Sequence, residues 1–182
     1  MMLGMSGVED FIFSHAFGGG SFIKSIQRGR GTMSTSSRTI DLAKAVDITK
    51  AIPIITFRPD DIPIGDQTAR NNFIRSRLYE PTKVSLIRND NDYPMYYSYQ
   101  VIEFYSVKSL QTGIISFTDR SYNHVVNAVN FDKCMLFADW EVEGGYIEDS
   151  MVDYSLISSN TLNFEKISDA NAIVNYKLAE FY

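Results

Sequence analysis

Residues 23–29 of this chain, Ile-Lys-Ser-Ile-Gln-Arg-Gly, return at 107–113 as Val-Lys-Ser-Leu-Gln-Thr-Gly. Lys24, Ser25, Gln27 and Gly29 recur as Lys108, Ser109, Gln111 and Gly113, an offset of 84. Residues 45–57 then match 128–140 at an offset of 83, and Tyr99-Gln-Val-Ile-Glu-Phe-Tyr105 matches Tyr176-Lys-Leu-Ala-Glu-Phe-Tyr182 at 77. Order is kept and spacing nearly so, which marks a tandem duplication of one module. The shortening from 83 to 77 falls where Arg58 to Asn71 faces Glu141 to Ser150. Length changes belong in surface loops, so both segments are expected to be loops. The domain organisation that follows is an N-terminal arm at 1–22, a first module at 23–105 and a second at 106–182.

Each module reads as six short strands. In the first they are Phe22–Arg28, broken at Gly29-Arg-Gly31, then Arg38–Ala43, Ala51–Phe57, Phe73–Tyr79, Thr82–Arg88 and Met95–Phe104. Pro53 points to an edge or a bulge, because proline cannot donate to a ladder. Glu80-Pro81 suits a hairpin turn, and Asn89-Asp-Asn-Asp92 is turn-forming, since its side chains bond their own backbone. The second module repeats the order with Val107–Phe117, Asn123–Val129, Cys134–Glu141, Met151–Ser158, Thr161–Ile167 and Ala172–Phe181. The fold class is therefore all-β, two tandem β-sandwich or small-barrel modules. Only Val8 to Phe17 carries a helical period, and it suits an extended arm equally well.

The arm has no counterpart in the second copy. It brings Phe11, Ile12, Phe13 and Phe17, followed by Gly18-Gly-Gly-Ser21, a flexible hinge composition. An apolar segment on such a tether is suited to docking on a neighbouring subunit, and these four residues are the candidate assembly residues. Packing back on its own module is the alternative.

Among the 182 residues, 17 Lys and Arg stand against 22 Asp and Glu, which gives no basic footprint for nucleic acid. No stretch approaches the roughly eighteen apolar residues of a membrane span, so membrane insertion is not expected. The N-terminus lacks a positively charged region ahead of its apolar residues, which argues for synthesis and assembly in a cytoplasm. The single cysteine, Cys134, lies in an apolar run and reads as a small buried hydrophobe.

Chemistry is sparse. His15 and His124 have no Cys, His, Asp or Glu at metal-ligand spacing, and neither a nucleophile elbow nor a phosphate-binding loop is present. No catalytic residue, cofactor or metal is expected. The acidic pairs Asp60-Asp61, Glu141 with Glu143 and Glu148-Asp149 are too weak a signal for a glycan hydrolase. Glu103 and Glu180 occupy matched positions, which marks them as structural. Arginines concentrate in the first copy, at Arg28, Arg30, Arg38, Arg58, Arg70, Arg75, Arg77 and Arg88, whereas the second has only Arg120. That asymmetry suits a basic face meeting an acidic partner subunit. Arg58, Arg70, Trp140 and Tyr146, with Tyr122, are candidates for surface binding of a receptor or glycan.

The module resembles repeats of bacteriophage virion proteins, namely tail-fibre, receptor-binding and other surface-exposed tail or head components. The matching residues are Ser25-Ile-Gln-Arg-Gly29, Val46-Asp47 with Lys50-Ala51, Arg77-Leu78 followed by Thr82-Lys-Val-Ser-Leu-Ile-Arg88, and Tyr99-Gln-Val-Ile-Glu-Phe104. The second copy keeps Ser109, Gln111, Gly113, Val129, Lys133, Glu180 and Phe181. The resemblance implies a virion location, a homo-oligomer in contact with other virion proteins, and a non-enzymatic structural role. Its alternative is an adhesin module that binds a host-cell receptor or glycan. The chain is shorter than a fibre with an extended shaft.

Overall fold

The computed structural model describes residues 22–59, 73–88, 94–142 and 151–182. Twelve strands run in chain order: β1 Ile23–Met33, β2 Ser37–Asp41, β3 Ala51–Pro59, β4 Arg75–Glu80, β5 Lys83–Ile87, β6 Met95–Phe104, β7 Ser109–Phe117, β8 Ser121–Val125, β9 Cys134–Val142, β10 Val152–Ser158, β11 Thr161–Lys166 and β12 Ala172–Glu180. One 3-10 turn, Phe131–Lys133, precedes β9, and the described residues contain no α-helix.

The strands form four three-stranded antiparallel sheets. Their orders are β1-β6-β3 and β2-β5-β4 in the first module, and β7-β12-β9 and β8-β11-β10 in the second. The two modules have one topology, as the duplication requires. Each is a sandwich with its own core. Met33, Ile74, Val84, Leu86, Met95 and Val101 fill the first and are essentially inaccessible to solvent; Leu162, Phe164, Ala172, Val174 and Leu178 do the same in the second. Strand alternation selects them: Met95, Tyr97, Tyr99 and Val101 point inward from β6, as Ala172, Val174, Tyr176 and Leu178 do from β12. Burying each such side chain stabilises the fold by about 1.5–3 kcal/mol. Pro53 lies on β3, an edge strand as its missing donor demands, and β4 and β5 form the hairpin around Pro81.

Three sequence expectations are corrected. β1 does not break at Gly29-Arg-Gly31; it continues to Met33. Those glycines make room for the partner strand, because a Cβ on Gly29 would lie 2.5 Å from the Tyr99 ring and one on Gly31 2.5 Å from the Tyr97 hydroxyl. Arg58 and Glu141 are strand residues, since β3 runs to Pro59 and β9 to Val142, and the rest of the expected loops lies outside the described residues. Cys134 opens β9 half-exposed, its thiol directed to the Phe131 carbonyl at 3.3 Å. The assembly candidates Phe11, Ile12, Phe13 and Phe17 also lie outside the described residues, as do Arg70, Tyr146, His15, Asn89 to Asp92 and the pairs at Asp60-Asp61 and Glu148-Asp149.

Candidate functional site: the seam between the modules

The repeated residues build one clamp twice. Glu103 is 3% exposed and accepts from Lys24 Nζ at 2.8 Å, Ser25 Oγ at 3.1 Å and the Asp47 amide at 3.0 Å. Glu180, 2% exposed, accepts from Lys108 Nζ at 2.8 Å, Ser109 Oγ at 3.3 Å and the Asn130 amide at 2.8 Å. Gln27 and Gln111 brace the same loops, each bonding both ways with one backbone residue, Lys44 and Asn127 respectively. Burial raises the Glu103 pKa, but the bonds from Lys24, Asp47 and Ser25 outweigh it, and the net shift is downward. Glu180 is held low by Lys108 and the Asn130 amide against a smaller opposing effect of burial. A carboxylate committed to three donors ties a first strand, a last strand and a loop together; it is not poised to exchange protons with a substrate.

Where the copies differ, the modules meet. β4 of the first module lies against the outer face of β9 and β12 of the second. Alternation puts Asn175, Lys177, Ala179 and Phe181 on that outer face, opposite the core set of β12. Arg75 Nη2 donates to Glu141 Oε1 at 2.6 Å and Arg75 Nη1 to Asn175 Oδ1 at 3.4 Å. The Ser76 amide donates to Asp139 Oδ1 at 3.0 Å, the Ser76 hydroxyl and Lys177 Nζ both reach Asp139 Oδ2, and Asn175 Nδ2 donates to the Ser76 carbonyl at 3.0 Å. Arg75, Ser76, Glu141, Asn175 and Lys177 are each at most 9% exposed. Two ion pairs are thus buried in one seam, which is costly unless hydrogen bonds surround the charges; Asp139 and Lys177 are surrounded in this way by Ser76, whereas Arg75 Nε and Glu141 Oε2 have no hydrogen-bond partner among the described residues.

An apolar patch continues the seam. Ile52, Ile102 and Phe104 of the first module pack on Ala179 and Phe181 of the second, with Phe104 and Phe181 edge to face at 5.2 Å between ring centres. Phe22 meets Phe181 at 6.1 Å, and Phe73 stacks on Trp140 at 5.8 Å.

The sequence-based candidates fare unevenly. Trp140 is wedged between Phe73 and Tyr154 at the seam, and Tyr122 stacks between Phe117 and His124, so neither is an open platform. Arg58 lies on an exposed sheet face, its guanidinium 4.7 Å from the centre of the Tyr96 ring. His124 approaches the Tyr176 hydroxyl at 3.3 Å, and burial lowers its pKa. Among the described residues no group of three or more His, Cys, Asp or Glu is arranged to hold a metal. Sequence reasoning missed Ser76, Asp139, Asn175 and Lys177. The available signal was four polar residues at intended strand positions whose counterparts, Tyr154, Thr56, Ser98 and Gln100, differ in kind. Comparison with family models, with curated proteins and with solved structures returned no match.

Proposed function

We propose that this protein is a non-enzymatic structural component of a bacteriophage particle, in tail, neck or head surface, that joins neighbouring subunits through its β modules and N-terminal arm. The observation that carries the reading is the buried polar and aromatic seam. It ties the two sandwiches together through buried hydrogen bonds, an ion pair and a stacked ring pair. The conserved-by-duplication carboxylates Glu103 and Glu180 are likewise committed to holding strands. The resemblance of the repeat to surface-exposed phage modules is the support for a virion location. The adhesin reading draws less support, because Trp140 and Tyr122 are packed rather than displayed.

The test is deletion of residues 1–20 in a complementation assay with purified particles. The two modules are expected to stay soluble and folded while the truncated chain no longer co-purifies with particles. Incorporation at the normal level removes the arm from the proposal, and absence of the full chain from particles removes the whole of it. Binding of the purified chain to host cells or a glycan array would favour the adhesin instead.

A further inference from the structure

Three exposed apolar side chains gather beside the seam. Ile48, Tyr79 and Ile114 are 41%, 37% and 51% exposed, and none of them belongs to a core cluster. All three line one cleft of about 330 Å³, between β3 and β4 of the first module and β7 and β12 of the second. That volume lies within the usual range of binding clefts. Side chains alternate along β4, so Arg77 and Tyr79 share a side with Arg75, the residue buried against Glu141. On β7, Ile114 stands opposite Asn175, with Thr112 and Ser116 as its neighbours on the same side, an apolar residue among polar ones.

The cleft also carries charge of one sign. Among the described residues its lining holds two cations, Arg77 and Lys177, and no carboxylate. Lys177 is buried and paired with Asp139, whereas Arg77 is exposed and makes no ion pair among the described residues. An occupant that suits this cleft sets aromatic or aliphatic side chains next to an acidic group.

We propose that the occupant is the N-terminal arm of a neighbouring copy of this chain. Residues 1–21 contain two carboxylates, Glu9 and Asp10, no Lys or Arg, and Phe11-Ile-Phe13 directly afterwards. In an extended segment Glu9, Phe11 and Phe13 project to one side, which sets a carboxylate toward Arg77 and two rings among Ile48, Tyr79 and Ile114. The attachment point leaves the reach for this. Phe22 is held against Phe181 at 6.1 Å, and residues 13–21, with the Gly18-Gly-Gly-Ser21 hinge at their end, extend to about 30 Å. Reciprocal exchange of arms gives a closed dimer, and passage from each chain to the next gives a ring or a filament. The inference rests on the assembly reading of the arm and adds the surface that receives it.

The experiment is light scattering of the full chain up to about 100 µM, with and without a synthetic peptide of residues 1–20. Assemblies larger than 20.7 kDa are expected, and excess peptide should dissociate them while a scrambled peptide of the same composition does not. Arg77→Glu and Ile114→Asp should each weaken association at least about tenfold; both side chains are exposed, and circular dichroism checks that the variants stay folded. Glu9→Lys with Asp10→Lys should weaken it similarly, and joining that reversal to Arg77→Glu on one chain should restore it. The peptide competition on the unaltered chain stands whatever the variants do. A chain that is monomeric throughout overturns the proposal, its arm then being idle or folded onto its own cleft. Association that survives the peptide, or both cleft substitutions, overturns it equally. Self-association through the cleft in a chain that never enters particles keeps the inference and refutes the particle reading; a chain present in particles whose association ignores the cleft does the reverse.

Discussion

Replacing Arg75 by Met tests whether the seam is a structural lock. Arg75 and Glu141 are 2.6 Å apart, with side chains 10% and 6% exposed. In Arg75→Met the Glu141 carboxylate stays buried, and its Oε2 already has no partner among the described residues, so the whole anion loses its neutralising charge. Breaking such a pair by removing one partner costs about 3–5 kcal/mol, whereas replacing both with apolar groups of similar volume is often neutral or better. Arg75→Met is therefore expected to destabilise by about 3–5 kcal/mol and Glu141→Leu by a comparable amount. The double variant should come within about 1–2 kcal/mol of the parent, a large coupling in the double-mutant cycle. Urea unfolding followed by intrinsic fluorescence reads this directly, because Trp140 stacks on Phe73 at the seam. If the modules are held together by this seam, Arg75→Met should also split one cooperative transition into two. A single-variant cost under about 1 kcal/mol, or costs that simply add in the double variant, would refute the account.

Two further outcomes follow from the duplicated elements. Gly113→Ala is expected to cost about 1–3 kcal/mol in the same unfolding assay, because the added methyl would lie 2.5 Å from the buried Tyr176 ring; Gly29→Ala should cost less, since Tyr99 is only half-buried and can yield. Acid should destabilise the chain in two stages. The lowered pKa of His124 means the unfolded state takes up a proton first, so stability present above about pH 6.5 declines below it, an effect that His124→Gln removes. Glu103 and Glu180, also shifted downward, contribute stability that is full above about pH 4.3 and is lost as the pH falls toward their folded values, so Glu180→Gln should flatten that second stage.

What the amino-acid sequence determined by itself was whatever is local or repeated. Six strands per module, the hairpin at Pro81, the edge placement of Pro53 and the matched roles of Lys24, Ser25, Gln27 and Gly29 with Lys108, Ser109, Gln111 and Gly113 were all legible, because alternation, turn chemistry and duplication are written along the chain. Glu103 and Glu180 were read as structural for the same reason. The tertiary structure alone decided which faces are covered. Gly29 and Gly31 looked like a strand break until Tyr97 and Tyr99 on a strand about seventy residues away were found lying over them. Trp140 looked like a binding surface until Phe73 covered it. Arg75 and Glu141 are 66 positions apart, and periodicity says only that each faces away from a core, not what it meets there. Both faces of a strand read as buried or polar in the same way whether the second face meets water, another module or another chain. That is decided by long-range packing, which in this protein buries Ile52, Ile102 and Phe104 on the outer face of one module against Ala179 and Phe181 on the outer face of the other.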